Sequence, residues 1–302
     1  MTELQVRQAG PADLSAVLAL IHTASPETPA SVVAATLSDH RGLLAEVDGQ
    51  PSGALLFRYN DDGLLVRAMS IDPKWEHLEV AAALVRCAEE TAVASGCARV
   101  SLVAGSVQMA TQSRWVRRGY HEVACDDSRT TLAKPLPVQL EVRTPEQTRL
   151  LGTRLARLLR AGDLVLLSGH LGAGKTTLTQ GIGAGLGVHG AITSPTFVIA
   201  RVHPAEGEGA ALVHVDAYRL GGVDEIDDLD LDTSLEDSVT VVEWGRGVAE
   251  PLAADRLVVE IDRRRGDAGG VTDDDLRRVR VTPVGRRWLG ADLASLRSVG
   301  QH

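Results

Sequence analysis

The sequence predicts an α/β protein of two domains, and three observations carry that prediction. A chain of 302 residues exceeds the usual size of a single domain. In the second half, short apolar runs alternate with amphipathic helical stretches, the pattern of a sheet flanked by helices. Between one such run and one such helix lies GHLGAGKTTLTQGIGAGLG, residues 169–187, in which seven of nineteen positions are glycine. Glycine is a poor former of helix or strand, so this run implies backbone bent closely around something.

Composition narrows the class. Apolar residues make up 44% and charged residues 24%, an ordinary globular balance. Aromatics are only 3%, so the core is expected to be aliphatic. The formal net charge is −9 and no long run of Lys and Arg occurs. A protein gripping bare nucleic acid by its phosphates is normally basic, so any RNA connection is expected to be indirect. Cys87, Cys97 and Cys125 are odd in number and lack CxxC spacing, which suits neither a disulfide framework nor a zinc site. The opening MTELQVRQAG has no basic region followed by an apolar run, and no 18-residue apolar stretch is present. A soluble, cytoplasmic protein is expected.

In the first half, LQVRQAG reads as a strand. Ala12 to Thr23 reads as a helix with Leu14, Val17, Leu18 and Ile21 on one face. The following apolar stretches are broken by VDGQP and YNDDG, turn chemistry that closes hairpins. A helix from about Leu78 to Ser95, the strand ARVSLVAG, a short helix ending before Gly119 and the strand SRTTLAK complete this half. Two prolines in KPLPVQ place the boundary near Pro135 to Gln139. The expected division is 1–135, a linker at 136–140, a second domain at 141–285 and a tail at 286–302.

The second half opens with TPEQTRLLGTRLARLLRAG, where Thr144 suits an N-cap, Pro145 the first helical position and Gly162 the stop. DLVLLSG is a short buried-type strand. After the glycine run come TFVIARV, ALVHVDAY, SVTVVEWG, RLVVEID and RRVRVTPV as strand candidates. The acidic stretch Asp224 to Asp237 lies between two of them.

Gly169 to Thr176 fits G-x-x-x-x-G-K-[ST], the phosphate-binding P-loop. Each residue type has a reason. Glycines let successive backbone N–H groups converge on phosphate oxygens, which a Cβ would obstruct. The N-terminus of the next helix adds its dipole. Lys175 reaches the β- and γ-phosphates, and the Thr176 hydroxyl is a magnesium ligand. Neither Lys74 nor Lys134 supplies the [NT]-K-x-D element of guanine-specific proteins, so ATP is favoured. A strand-end acid must complete the magnesium shell. Asp216, after ALVHV, and Glu243, after VTVV, are both candidates.

Four blocks in order, GHLGAGKTT, SPTF (194–197), HVDAYRL (214–220) and VEWG (242–245), resemble the TsaE/YjeE family. That family is the bacterial ATPase subunit of the complex that makes N6-threonylcarbamoyladenosine on tRNA. The likeness runs from about Arg143 to Asp262. It implies that Gly172, Ala173, Gly174, Lys175, Thr176 and Thr177 hold the phosphates of ATP, and that Thr176 and Glu243 share Mg2+. It implies that Lys175 and Asp216 carry the catalysis, with Asp216 orienting water or acting as base and Arg219 steadying it. Thr196 would sit in a switch-like loop sensing the γ-phosphate, and Trp244 would pack beside the nucleotide, a partner or the core. Thr144 lies where the family touches the adenosine end, although a plain N-cap explains it equally well. The partners implied are the TsaD- and TsaB-type subunits of the tRNA threonylcarbamoyl-transferase, with tRNA contacted only indirectly and no membrane involved. His170 stands where the family has an acidic residue.

The first half resembles the GCN5-related N-acetyltransferase (GNAT) fold through VRQAGPADLSAVLALI, IDPKW and SRWVRRGYHEVA. That family binds the acetyl-CoA pyrophosphate at [QR]-x-x-G-x-[GA], opening the central helix. Here the stretch is Glu76-His77-Leu78-Glu79-Val80-Ala81, with acids replacing the cation and the key glycine. Two carboxylates would occupy the helix N-terminal field meant for the diphosphate, so acetyl-CoA binding is not expected. Tyr120 lies where the family can place its acid for the leaving thiolate, or is a packed core tyrosine. Two other readings remain: a P-loop small-molecule kinase, which needs an arginine-bearing lid that Asp224 to Asp237 does not resemble, and a bifunctional protein with an active acetyltransferase half.

Overall fold

The computed structural model describes residues 3–61, 63–75, 79–104, 112–125, 130–207, 209–219, 236–263 and 276–301. Glu76 to Leu78 and most of the acidic stretch from Asp224 lie outside the described residues. The chain divides into two compact units, Met1–Leu136 and Pro137–His302.

The first unit holds β1 (Leu4–Ala9), α1 (Leu14–Ala24), α2 (Ala30–Ser38), β2 (Gly42–Val47), β3 (Gln50–Asn60), β4 (Gly63–Ile71), α3 (Val80–Ala94), β5 (Arg99–Ala104), α4 (Gln112–Val116), β6 (His121–Cys125) and β7 (Thr130–Pro135). Its sheet runs β1-β2-β3-β4-β5-β7-β6. Asp48 and Gly49 both take positive φ (49° and 75°) in the β2–β3 turn, as a tight Asp-Gly hairpin requires. One sheet face packs Leu43, Leu55 and Phe57 against Leu84 and Val85 of α3, and the other packs Ala54 and Leu56 against Val17, Ile21 and Leu37 of α1 and α2. β4 pairs with β5 in parallel only over Leu64–Val66. The helix α2 and the strand β6 were not anticipated.

The second unit holds β8 (Val138–Val142), α5 (Pro145–Ala156), β9 (Leu164–Ser168), α6 (Lys175–Leu186), β10 (Ala200–His203), β11 (Ala211–Asp216), β12 (Ser238–Glu243), β13 (Arg256–Arg263) and β14 (Arg277–Val284). The order is β10-β11-β12-β9-β13-β14-β8. β11, β12, β9 and β13 are parallel, and β10, β14 and β8 add antiparallel at the edges. The central strands are near-continuous apolar runs because both their faces are covered, whereas β8 and β14 alternate buried and exposed.

Several boundaries differ from expectation. Residues 138–140, expected in a linker, form β8 together with 141–142 and pair with β14, while Leu136 is buried in the first unit's core. α5 stops at Ala156 rather than before Gly162. The chain turns there with short i→i−3 bonds, and buried Asp163 accepts from Arg160 N (2.9 Å) and Arg287 Nη2 (3.1 Å). Of TFVIARV only the end is strand, because Pro195 starts a turn that accepts Val198 N and Ile199 N and leaves Ile199 at φ 67°. The expected tail folds back: Trp288, Leu293, Leu296 and Val299 are buried in the second unit's core. None of the cysteines forms a disulfide. Among the described residues no helix is long and apolar enough to cross a membrane.

The glycine run serves two purposes. Its second part lies in α6 where α5 crosses. A Cβ at Gly181 would stand 2.1 Å from the Arg149 carbonyl oxygen, and one at Gly152 of α5 2.4 Å from that of Leu178. Gly181→Ala gains roughly 1 kcal/mol of helix propensity, but it forces two backbones apart, which costs about 1–3 kcal/mol or more. The clash is with backbone, which cannot rotate away, so overpacking wins. Gly181→Ala is expected to lower the unfolding midpoint of the second unit in a denaturant titration; an unchanged or raised midpoint would contradict this packing.

Candidate nucleotide-binding site

Parallel pairing sets the site. β11 and β12 align Asp216 with Glu243, and β12 and β9 align Glu243 with Leu167, so both acids and the loop after β9 share one sheet edge. The loop, residues 169–174, leaves β9 and enters α6. Gly172 and Gly174 adopt φ 77° and 110°, where a side chain is strained. Ala173 is buried, and its carbonyl accepts from Arg277 Nε at 2.9 Å, which anchors the loop on β14.

An open cavity of about 580 Å³ lies over this edge, lined by Gly172, Gly174, Lys175, Thr176, Thr177, Ser194, Thr196, Asp216, Tyr218, Glu243 and Trp244, with Leu171 at its rim. Lys175 Nζ donates to the carbonyls of Gly169 (2.9 Å) and His170 (3.2 Å) and lies 3.9 Å from the Trp244 ring centroid. Burial pushes its ammonium below the ordinary value, a shift that Glu243 and Asp216 oppose. The buried amine thus rests on two carbonyls and a ring face rather than on a carboxylate. Trp244 takes φ 62° at the strand end, donates its N–H to Leu167 O, and meets Tyr218 edge-on at 5.3 Å.

The two acids have separate surroundings. Glu243 is 3% exposed, and its Oε1 accepts from Thr176 Oγ1 (2.9 Å) and from His214 Nε2 (2.9 Å). Asp216 Oδ2 accepts from Ser194 Oγ (2.9 Å) and Thr196 Oγ1 (2.6 Å), and its Oδ1 accepts from Tyr218 N (3.1 Å). Arg219 stacks over exposed Phe197 at 5.0 Å. Among the described residues no group of three or more His, Cys, Asp or Glu could hold a metal. A hydroxyl and one carboxylate, already touching, instead suit magnesium, which takes oxygen ligands and is held largely through substrate phosphates.

The structure brings Gly172, Gly174, Lys175, Thr176, Thr177, Thr196, Asp216 and Glu243 together around the cavity, with Ala173 buried beneath. Thr144 does not line it. Its Oγ1 accepts from Gln147 N at 3.2 Å as the N-cap of α5. His170 is exposed and contributes its carbonyl. Sequence reasoning missed the contacts of His214 and Arg277. Strand alternation could have found the first, since His214 and Asp216 share a face of β11.

In the first unit, Glu79 stands at the N-cap of α3 and pairs with Arg118 at 2.8 Å. Tyr120 is fully buried, stacks edge-on with Trp115 and donates to Glu89, which also holds Lys134. Burial and Glu89 hold its hydroxyl well above the ordinary range, so the proton stays in place.

Residues 142–269 match the family model for the threonylcarbamoyl adenosine biosynthesis protein TsaE, and residues 17–120 match that of the acetyltransferase (GNAT) family. The chain is 66% identical over 149 residues to the tRNA threonylcarbamoyladenosine biosynthesis protein TsaE of Streptomyces coelicolor, covering 49% of this chain and 98% of that protein. It is 39% identical to the protein of the same name from Bacillus subtilis, covering 50% of this chain and 89% of that one. Among solved structures, the YdiB crystal structure from Bacillus subtilis aligns with 50% of this chain and 88% of its own, at 31% identity and a TM-score of 0.39. With a P-loop, a hydroxyl–carboxylate pair at its mouth and relatives covered almost end to end, the chain belongs to the TsaE family, carrying a GNAT-like domain ahead of it.

Proposed function

We propose that the second unit is a magnesium-dependent ATPase that works with the TsaD- and TsaB-type subunits during N6-threonylcarbamoyladenosine formation at position 37 of tRNA. The observation that carries this reading is the Thr176–Glu243 contact at 2.9 Å beside Lys175, on the floor of a cavity large enough for a nucleotide's phosphates. Family membership supports the role in the tRNA threonylcarbamoyladenosine pathway. With a net charge of −9 the chain is not an obvious RNA binder, so tRNA and the threonylcarbamoyl chemistry are left to the partners.

The backbone amides from Gly172 to Thr177 and the N-terminus of α6 bind the β- and γ-phosphates. Lys175 leaves the Gly169 and His170 carbonyls for phosphate oxygens. Thr176 and Glu243 would hold Mg2+, which would supply positive charge to the γ-phosphoryl group. Asp216 orients the attacking water; the water oxygen bonds to the γ-phosphorus as the bond to the bridging oxygen breaks, the water's proton passes to the phosphoryl oxygens, and ADP and inorganic phosphate leave. Because Asp216 already accepts three hydrogen bonds, it is better suited to orient water than to remove its proton outright. Thr196 and Ser194 tie Asp216 to the loop before β10, which gives that loop a direct line to the γ-phosphate position.

We infer that the first unit keeps the GNAT-like fold without acetyl transfer and serves as a docking or stabilising module. Glu79 occupies the α3 N-terminus and engages the Arg118 guanidinium. A carboxylate about 6 Å from a diphosphate costs roughly 1–3 kcal/mol after solvent screening, about five- to 150-fold in affinity.

A variant series tests the nucleotide site. Lys175→Ala is expected to cut ATP turnover by ~10²-fold or more, or to abolish nucleotide binding, and to leave tRNA unmodified when assayed with the transferase subunits. Glu243→Gln is expected to raise the magnesium needed for half-maximal turnover. Asp216→Asn is expected to spare nucleotide binding and depress hydrolysis. Full turnover by folded Lys175→Ala would remove the P-loop assignment, and the opposite pairing of the two acids would show their roles reversed.

For the first unit, calorimetry is expected to show no saturable acetyl-CoA binding at millimolar concentration, with Glu76→Arg combined with Glu79→Gly recovering some affinity. Micromolar binding by the unaltered chain would make the protein bifunctional.

A further inference from the structure

Nothing so far gives His214 a task, yet its placement is demanding. It lies on β11, fully buried, two residues before Asp216, opposite Val241 and diagonal to Glu243 on β12. Its Nε2 is 2.9 Å from Glu243 Oε1. A carboxylate oxygen accepts, so the proton sits on Nε2 and Nδ1 carries none in the neutral ring. Nδ1 is buried with no hydrogen-bond partner. A buried ring nitrogen without a partner is costly, and an aliphatic side chain would fill the same space without that cost. What an aliphatic residue cannot supply is the donor to Glu243.

We propose that His214 is a positioning residue for the magnesium ligand Glu243: its Nε2–H fixes the carboxylate rotamer so that Oε1 stays turned to the strand and the P-loop and Oε2 is left for the metal or its water. This rests on the ATPase reading above. Oε1 takes both donors, from His214 and Thr176, while no donor among the described residues reaches Oε2. The two donors differ in permanence. Thr176 stands at the start of α6 and lines the cavity, so its hydroxyl answers to whatever the cavity holds. His214 is walled in between β10 and β12 and touches no cavity space. It is therefore the constant partner, keeping a buried carboxylate aimed and compensated with or without nucleotide. Hydrogen-bonded outer partners of this kind set the affinity of metal ligands.

The test uses the full chain with three variants. Gln carries an amide N–H at about the reach of Nε2, Asn at about the reach of Nδ1, and Leu carries no donor. Mn2+ binding in the presence of ADP is measured by electron paramagnetic resonance, and ADP affinity is measured separately in EDTA, with thermal melts as the folding control. His214→Leu and His214→Asn are expected to weaken Mn2+ binding about tenfold and to leave metal-free ADP affinity unchanged. His214→Gln is expected to restore most of the loss. Equal Mn2+ affinity in folded His214→Asn and His214→Gln would overturn the positioning role, even if the leucine variant fails to fold. A wild-type chain that binds no Mn2+ with ADP would overturn the ATPase reading and this proposal together, whereas normal binding insensitive to His214 would overturn the proposal alone.

Discussion

Parallel pairing of β11, β12 and β9 is the constraint on which the site depends. Because the three strands run the same way and in register, their carboxyl ends arrive at one edge, carrying Asp216, Glu243 and the glycine loop. Ligands in open α/β sheets gather outside such strand ends. Sliding β12 by one residue would turn Glu243 to the opposite face and empty the site of its buried carboxylate. The apolar runs of these strands, buried on both faces, hold the register.

That carboxylate in turn organises its neighbours. At 3% exposure Glu243 needs compensation, and it has hydrogen bonds from Thr176 and His214 and the charge of Lys175. The same groups are those a nucleotide and its metal would engage. A site assembled this far before ligand arrives spends little binding energy on reorganisation. In the proposed binding mode the remaining adjustment would be small: Lys175 would exchange its two carbonyl partners.

Much of this was legible in the sequence where the physics is local. The P-loop was readable because its spacing follows from phosphate geometry, and the strands because fully buried runs are continuous. What was not legible depends on partners far along the chain. The first three residues of β8 were mistaken for linker because its pairing strand, β14, lies more than 130 residues away and the prolines of KPLPVQ dominate the local signal. The residues after 285 carry a sparse apolar pattern that makes sense only against the surface of β8 and α5. The packing role of Gly181 was hidden because glycines in the loop and in the helix look alike in sequence, while their reasons differ: φ in one case, backbone approach in the other. His214 was read as part of a motif and given no contact, since its partner sits on another strand. Thr144 was open between capping and ligand contact, and the structure shows the cap.

On the proposed reading the loop from Gly169 to Thr176 cradles the phosphates of ATP, with Thr176 and Glu243 at the metal. A crystal structure of the full chain with a non-hydrolysable ATP analogue and Mg2+ tests it most directly. The expected complex has β- and γ-phosphate oxygens against the amides of residues 172–177, Lys175 Nζ moved from the Gly169 and His170 carbonyls onto them, and the metal between Thr176 and Glu243. Nucleotide bound elsewhere, or Lys175 still held by those two carbonyls beneath an occupied cavity, would contradict it.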